Sequence, residues 1–145
     1  MILTSGIPTS YRILFGLNHA SFPSAIQELN PDAAAIAAQL DAELQFGKIR
    51  GILNGIPFLV KDNIATHDRM QTTAGSLALI GSIVPRDAYV VKKLRDAGAL
   101  LLGHTTMAEW ADMRSTNFSE GYSPRGGQAR SPYNLTLVSH FSRYL

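Results

Sequence analysis

The sequence predicts an α/β fold in which helices cover a sheet containing parallel strands. Two short continuous apolar runs, Ile56 to Val60 and Ala99 to Leu102, read as strands buried on both faces. A helical stripe, Val90, Val91, Leu94 and Ala97, lies between them. Strand, helix, strand in that order implies a crossover and parallel pairing.

The elements follow from the N-terminus. Met1 to Ser21 shows no periodicity, because Gly6, Pro8 and Gly16 interrupt its apolar pieces. A helix then opens with Asn30 as N-cap, Pro31 in the first turn and Asp32 against the helix dipole. Ala33, Ile36, Ala37, Leu40 and Leu44 form its apolar stripe; Asp41, Glu43 and Gln45 lie off it, facing water, and Gly47 ends it. After the turn former Asn54-Gly55 comes the first strand, which stops at Lys61. Asp62 to Asp68 reads as a loop, and Leu77 to Ile80 as a short helical start. Pro85 and Asp87 set up the next helix, Lys92 and Asp96 are spaced to pair along it, and Gly98 closes it. The second strand is expected to end at Gly103, with a short helix over Met107 to Met113. Beyond Ser115, Gly121, Pro124, Gly126, Gly127 and Pro132 mark loops. Two strands cannot complete a sheet, so they are expected to form one edge of a larger one.

Composition narrows the function classes. At 46% hydrophobic and 17% charged, the 145 residues suit one ordered domain rather than a disordered chain. The net charge of +2 is spread out, and Lys92, Lys93 and Arg95 form the one tight basic group, so nucleic acid is not expected as a partner. With 0 Cys, disulfides and thiolate sites are excluded. No apolar run reaches the ~20 residues of a membrane span. No basic leader precedes an apolar stretch, and the expected compartment is the cytoplasm.

The chemistry-bearing residues are few. Lys61 ends an apolar run, where partial burial can lower an ammonium's pKa and make it a base. A lysine at a strand end is more often a solvated charge. His19, His67, His104 and His140 lack metal-ligand spacing, so neither metal nor cofactor is expected. Ser76, Ser115, Ser119, Ser123 and Ser131 sit in turn-like surroundings that explain them, and no Gly-x-Ser-x-Gly elbow occurs. Gly121 to Gly127 lacks phosphate-loop spacing and reads as a loop with unusual backbone angles.

Five segments, in order and spacing, resemble the amidase signature family. They are Gly55 to Asn63 (GIPFLVKDN), Thr72 to Leu77 (TTAGSL), Asp87 to Ala99, Leu102 to Ala111 (LGHTTMAEWA) and Arg125 to Gln128 (RGGQ). The resemblance runs from about Ser24 to about Thr136. It divides the chain into a poorly matched segment (1–23), a partial amidase domain (24–136) and a divergent tail (137–145). It implies a portion of an α/β/α fold around a mixed sheet. It also implies hydrolysis of the C–N bond of a small-molecule or peptide amide by a Ser–cis-Ser–Lys triad. In such a triad a neutral lysine draws a proton through the bridging serine while the nucleophilic serine attacks the carbonyl. Backbone N–H groups of a glycine- and serine-rich loop hold the oxyanion.

Lys61 matches the family's catalytic lysine. The family's Gly-Gly-Ser-Ser-Ser-Gly run does not occur, and Ser139 and Ser142 lack neighbouring glycines, so neither is carried over as nucleophile or cis serine. His104 stands where relatives usually have lysine and Thr106 where they usually have asparagine, which puts local hydrogen bonding in question. The expectation is therefore a truncated family member, inactive alone, whose Lys61 titrates like an ordinary lysine. A non-catalytic protein docking a partner through its open sheet edge is the alternative. A hydrolase using Ser139 or Ser142 in another geometry is a third reading.

Overall fold

The computed structural model describes residues 25–113, 116–117 and 119–130. The core is a three-stranded mixed sheet in the order β1-β3-β2. β2 (Pro57–Lys61) runs parallel to β3 (Leu100–Thr105), as strand-helix-strand order requires. β1 (Ile26–Leu29) pairs antiparallel with β3 on its other side and makes the sheet mixed. Four residues with two polar members, Gln27 and Glu28, give β1 too little pattern to stand out in the sequence.

Helices cover both faces of β3. α1 (Ala33–Gln45) packs Ala37 and Leu40 on Leu100, with Ile36 and Leu102 joining from the same side. α2 (Tyr89–Asp96) packs Val91 on Leu101, together with Val60 and Met70. Leu100 and Leu101 point to opposite faces because side chains alternate along a strand. The result is the expected helix–sheet–helix layering.

Local differences from the sequence expectation have physical causes. The N-cap of α1 is Asp32, without a side-chain cap, rather than Asn30. Asn30 is buried and pinned elsewhere: its Nδ2 donates to Leu101 O at 2.9 Å and its Oδ1 accepts from Asp32 N–H at 3.0 Å. Leu44 stays exposed, so the stripe of α1 is shorter than expected. Glu43 takes two hydrogen bonds from Arg50, at 2.6 and 2.7 Å, tying the 46–56 loop to the helix. β2 is buried on one face rather than two. It lies at the sheet edge, where Val60 is buried while Ile56 and Leu59 remain 48% and 40% exposed.

β3 does not end at Gly103 but runs through it to Thr105. The glycine is there because β1 comes close: a Cβ at Gly103 would overlap the backbone oxygen of Glu28. Gly103→Ala is expected to cost about 1–3 kcal/mol by pushing β1 away, and a urea melt unchanged from the parent would refute this. Gly98, at φ +87°, closes α2 as expected, and Lys92 pairs with Asp96 at 2.7 Å. The first short helix is a single 3₁₀ turn, Leu77–Leu79, and the second, Glu109–Asp112, is a turn broken by left-handed backbone angles. Among the described residues no helix is long and apolar enough to cross a membrane.

Candidate active site

Parallel β2 and β3 point their C-terminal ends the same way, and the loops leaving those ends enclose a cleft of about 270 Å³. Asn63 after β2, Met107, Trp110 and Ala111 after β3, and Thr72 and Ala74 between them form its walls. Ligand sites in open α/β sheets sit outside the carboxyl ends of strands. The walls are closely fitted. Ala74 O accepts from Trp110 N–H at 2.9 Å, and a Cβ on Gly75 would meet Met107 O at 2.8 Å. Trp110, Ala111 and Asp112 all hold left-handed backbone angles, φ +53°, +53° and +67°, an uncommon state for side-chain-bearing residues.

Lys61 is the last residue of β2, two positions before Asn63. Burial pushes its ammonium below the ordinary lysine range, and the Asp112 carboxylate opposes that shift. The expectation was an ordinary titration; the direction here is downward, because residues of this chain withdraw the lysine partly from water.

Asp62, the next residue, reads in the sequence as a loop polar group. It is instead fully buried at the centre of a polar cluster. Its carboxylate accepts from Gly75 N–H at 3.0 Å, from Arg125 at 3.1 Å and from the Thr73 hydroxyl. His104 Nδ1 stands 3.3 Å away. Its backbone oxygen accepts from Thr73 and Ala74 N–H at 3.1 and 3.0 Å. Arg125, from the hairpin of β4 (Tyr122–Ser123) and β5 (Gly127–Gln128), also pairs with Glu28 of β1. The sequence holds one signal of this: Asp62, Thr73, His104 and Arg125 fall in four different segments of the quoted resemblance.

Burial alone would raise the Asp62 pKa. The hydrogen bonds from His104, Thr73 and Gly75 and the charge of Arg125 outweigh it and hold the carboxyl below its ordinary 3.8. A carboxyl depressed in the folded state adds stability that is complete above the unfolded value and is lost as pH falls through the folded one. Acid unfolding below about pH 4 is therefore expected to draw on Asp62. Asp62→Asn should flatten that limb of the acid melt, and superimposable acid profiles would refute it.

The other sequence candidates have local roles. Ser76 Oγ donates to Glu109 Oε1 at 2.7 Å and accepts from Ala78 N–H at 3.3 Å. Ser119 Oγ donates to Gln128 Oε1 at 2.8 Å, and Ser123 Oγ accepts from Gly126 N–H at 2.9 Å. His67 is exposed, with Nδ1 2.8 Å from Val84 O. Gly121 and Gly127, at φ +71° and +69°, have the unusual backbone angles read for that loop. Among the described residues no three His, Cys, Asp or Glu side chains group as metal ligands. His19, His140, Ser115, Ser131, Ser139 and Ser142 lie outside the described residues.

The Amidase family model matches residues 17–140. The chain belongs to the amidase family. A putative amidase of Schizosaccharomyces pombe is 66% identical over 116 residues, covering 80% of this chain and 20% of that protein. A probable amidase of Arabidopsis thaliana is 47% identical over 114 residues, covering 77% and 22%. Among solved structures, native peptide amidase from Stenotrophomonas maltophilia superimposes with a TM-score of 0.77 at 47% identity, covering 88% of this chain and 26% of that one. The chain thus spans about a fifth of the length of the curated amidases it matches. The mixed α/β architecture described above is that of the amidase-signature structures it resembles.

Proposed function

We propose that this chain carries the lysine part of an amide-hydrolysing site, with Lys61 as general base. One observation supports this above all. Lys61 stands at the carboxyl end of a parallel strand, two positions before Asn63 of the cleft wall, with its ammonium made less favourable by burial. A lysine so placed can take a proton through a bridging serine from a nucleophilic serine. The 145 residues contain no Gly-Gly-Ser-Ser-Ser-Gly run, so both serines and the oxyanion loop would come from the remainder of the family fold. The substrate class is a small-molecule or peptide amide, and the amidase portion is residues 24–136.

Two measurements test the reading. The chain alone is expected neither to hydrolyse a peptide amide nor to react with a fluorophosphonate probe; labelling of Ser139 or Ser142 would overturn its inactivity. Residues 25–130, grafted in place of the equivalent segment of the Stenotrophomonas peptide amidase, are expected to support hydrolysis. A folded but inert chimera would count against the proposal.

The exposure of Ile56 and Leu59 at the β2 edge favours a second reading, a docking module without catalysis. A lone monomer by analytical ultracentrifugation, with no binding to the remainder of an amidase, would sink it.

A further inference from the structure

Asp62 directly follows Lys61, so whatever holds Asp62 also holds the end of β2. From the β3 side that contact is His104, which pairs with Val60 in the strand register. Its ring is completely buried. Nδ1 faces two acceptors, Gln71 O at 3.0 Å and Asp62 Oδ1 at 3.3 Å. Neither a carbonyl nor a carboxylate can donate, so Nδ1 carries the hydrogen. Nε2 faces the Thr66 hydroxyl at 2.9 Å, a group able to give or to take. That hydroxyl is also 3.2 Å from Asp68, which Arg95 pairs at 2.8 Å. The Nδ1 edge is thus committed to the site, and the Nε2 edge is adaptable. The charges around the ring are Asp62, with Arg125 and Glu28 behind it, and Asp68 with Arg95 behind Thr66.

Imidazole reaches Asp62 with one directed N–H, where an ammonium would offer three rotatable donors. That N–H is shared between Gln71 O at 3.0 Å and Asp62 Oδ1 at 3.3 Å, and as a directed donor it constrains the plane of the carboxylate. That plane decides whether the same group also meets Gly75 N–H and the Thr73 hydroxyl, whose neighbours Thr72 and Ala74 wall the cleft.

We propose that His104 is a positioning residue for Lys61: its Nδ1–H helps orient Asp62, and thereby holds the end of β2 that carries the lysine. The inference rests on the reading of Lys61 as the base. If the Asp62 anchor loosens, the end of β2 opens to water and the lysine returns to an ordinary environment.

The test uses the full 145-residue chain with ¹³C-labelled lysine, the Lys61 signal being identified by its loss in Lys61→Arg. In the unmodified chain Lys61 is expected to titrate below the ordinary lysine range. His104→Asn keeps an amide N–H near the Nδ1 position and should leave that titration in place. His104→Gln moves the amide to the Nε2 position and should shift Lys61 upward, toward ordinary lysine. A merely structural role would lower the melting temperature in both variants and leave Lys61 unmoved. A lowered Lys61 titration that stays put in folded His104→Gln overturns this inference alone. An equal upward shift in His104→Asn does the same. An ordinary Lys61 titration in the unmodified chain overturns the base reading and this inference with it. Should His104→Gln fail to fold, long-range ¹H–¹⁵N spectra of the unmodified chain read the ring directly. Hydrogen on Nδ1 is expected, and a ring protonated on Nε2 alone overturns the proposal.

Discussion

In the chimera with the Stenotrophomonas peptide amidase, Lys61→Ala is expected to lower kcat/KM about 10⁴-fold. The argument is one of proton traffic. A serine hydroxyl is a poor nucleophile until a base accepts its proton, and a positioned general base contributes up to about 10⁴-fold. KM should change little, because the lysine acts on the serines rather than gripping the amide. Lys61→Arg should fail nearly as badly, since a guanidinium cannot be deprotonated in a protein. The pH profile should rise as Lys61 loses its proton, and burial places that rise below the ordinary lysine range. Steady-state kinetics on a peptide amide measures all three. Activity within tenfold of the parent chimera would remove Lys61 from the mechanism.

Asp62→Ala should cost the most stability of any single change at the site, about 3–5 kcal/mol. The carboxylate is fully buried and faces Arg125, His104, the Thr73 hydroxyl and Gly75 N–H. Truncation leaves the guanidinium of Arg125 half-neutralised, with Glu28 as its other partner. It also strands a backbone donor with no water to replace the lost acceptor. Domain stabilities run to about 5–15 kcal/mol, so a loss of this size brings a domain at the low end of that range to its unfolding midpoint. Thr73→Val removes one hydroxyl from the same cluster and should cost nearer about 1 kcal/mol. Urea melts of the full chain give both values. An Asp62→Ala loss below about 1 kcal/mol would show that the cluster relaxes around the gap.

The parts of this fold that could be read from sequence are those with local pattern. The α2 stripe, the Lys92–Asp96 pair and the Gly98 stop are all set within one or two helical turns. Parallel pairing of β2 and β3 followed from element order. What escaped depends on distant partners. β1 is a strand because β3 lies beside it, not because of its own residues. Asn30 looked like a helix cap because its backbone amide partners are local, while the carbonyl that claims it belongs to Leu101. Gly103 looked like a stop because nothing nearby in sequence reports the approach of Glu28. At the site, the strand-end position of Lys61 was legible from the apolar run before it. Asp62 and His104 were not, since each becomes informative only when four segments converge. The environment of Lys61 was misjudged for the same reason: its partial burial comes from neighbours that the linear chain does not announce.

Arg125 and Glu28, which close the cluster around Asp62, are 97 residues apart in the chain. A ribosome adding about 5–20 residues per second takes roughly five to twenty seconds to make that span. Through most of that interval β1 waits with its pairing groups bare, until β3 emerges at Leu100–Thr105, and Asp62 lacks its guanidinium partner until Arg125 follows. Topologies dominated by such distant pairings fold slowly, because loop closure must precede any reward from contact. The cluster around Asp62 is thus completed after the three-stranded sheet that carries it. The nascent chain depends on whatever shields β1 until β3 emerges.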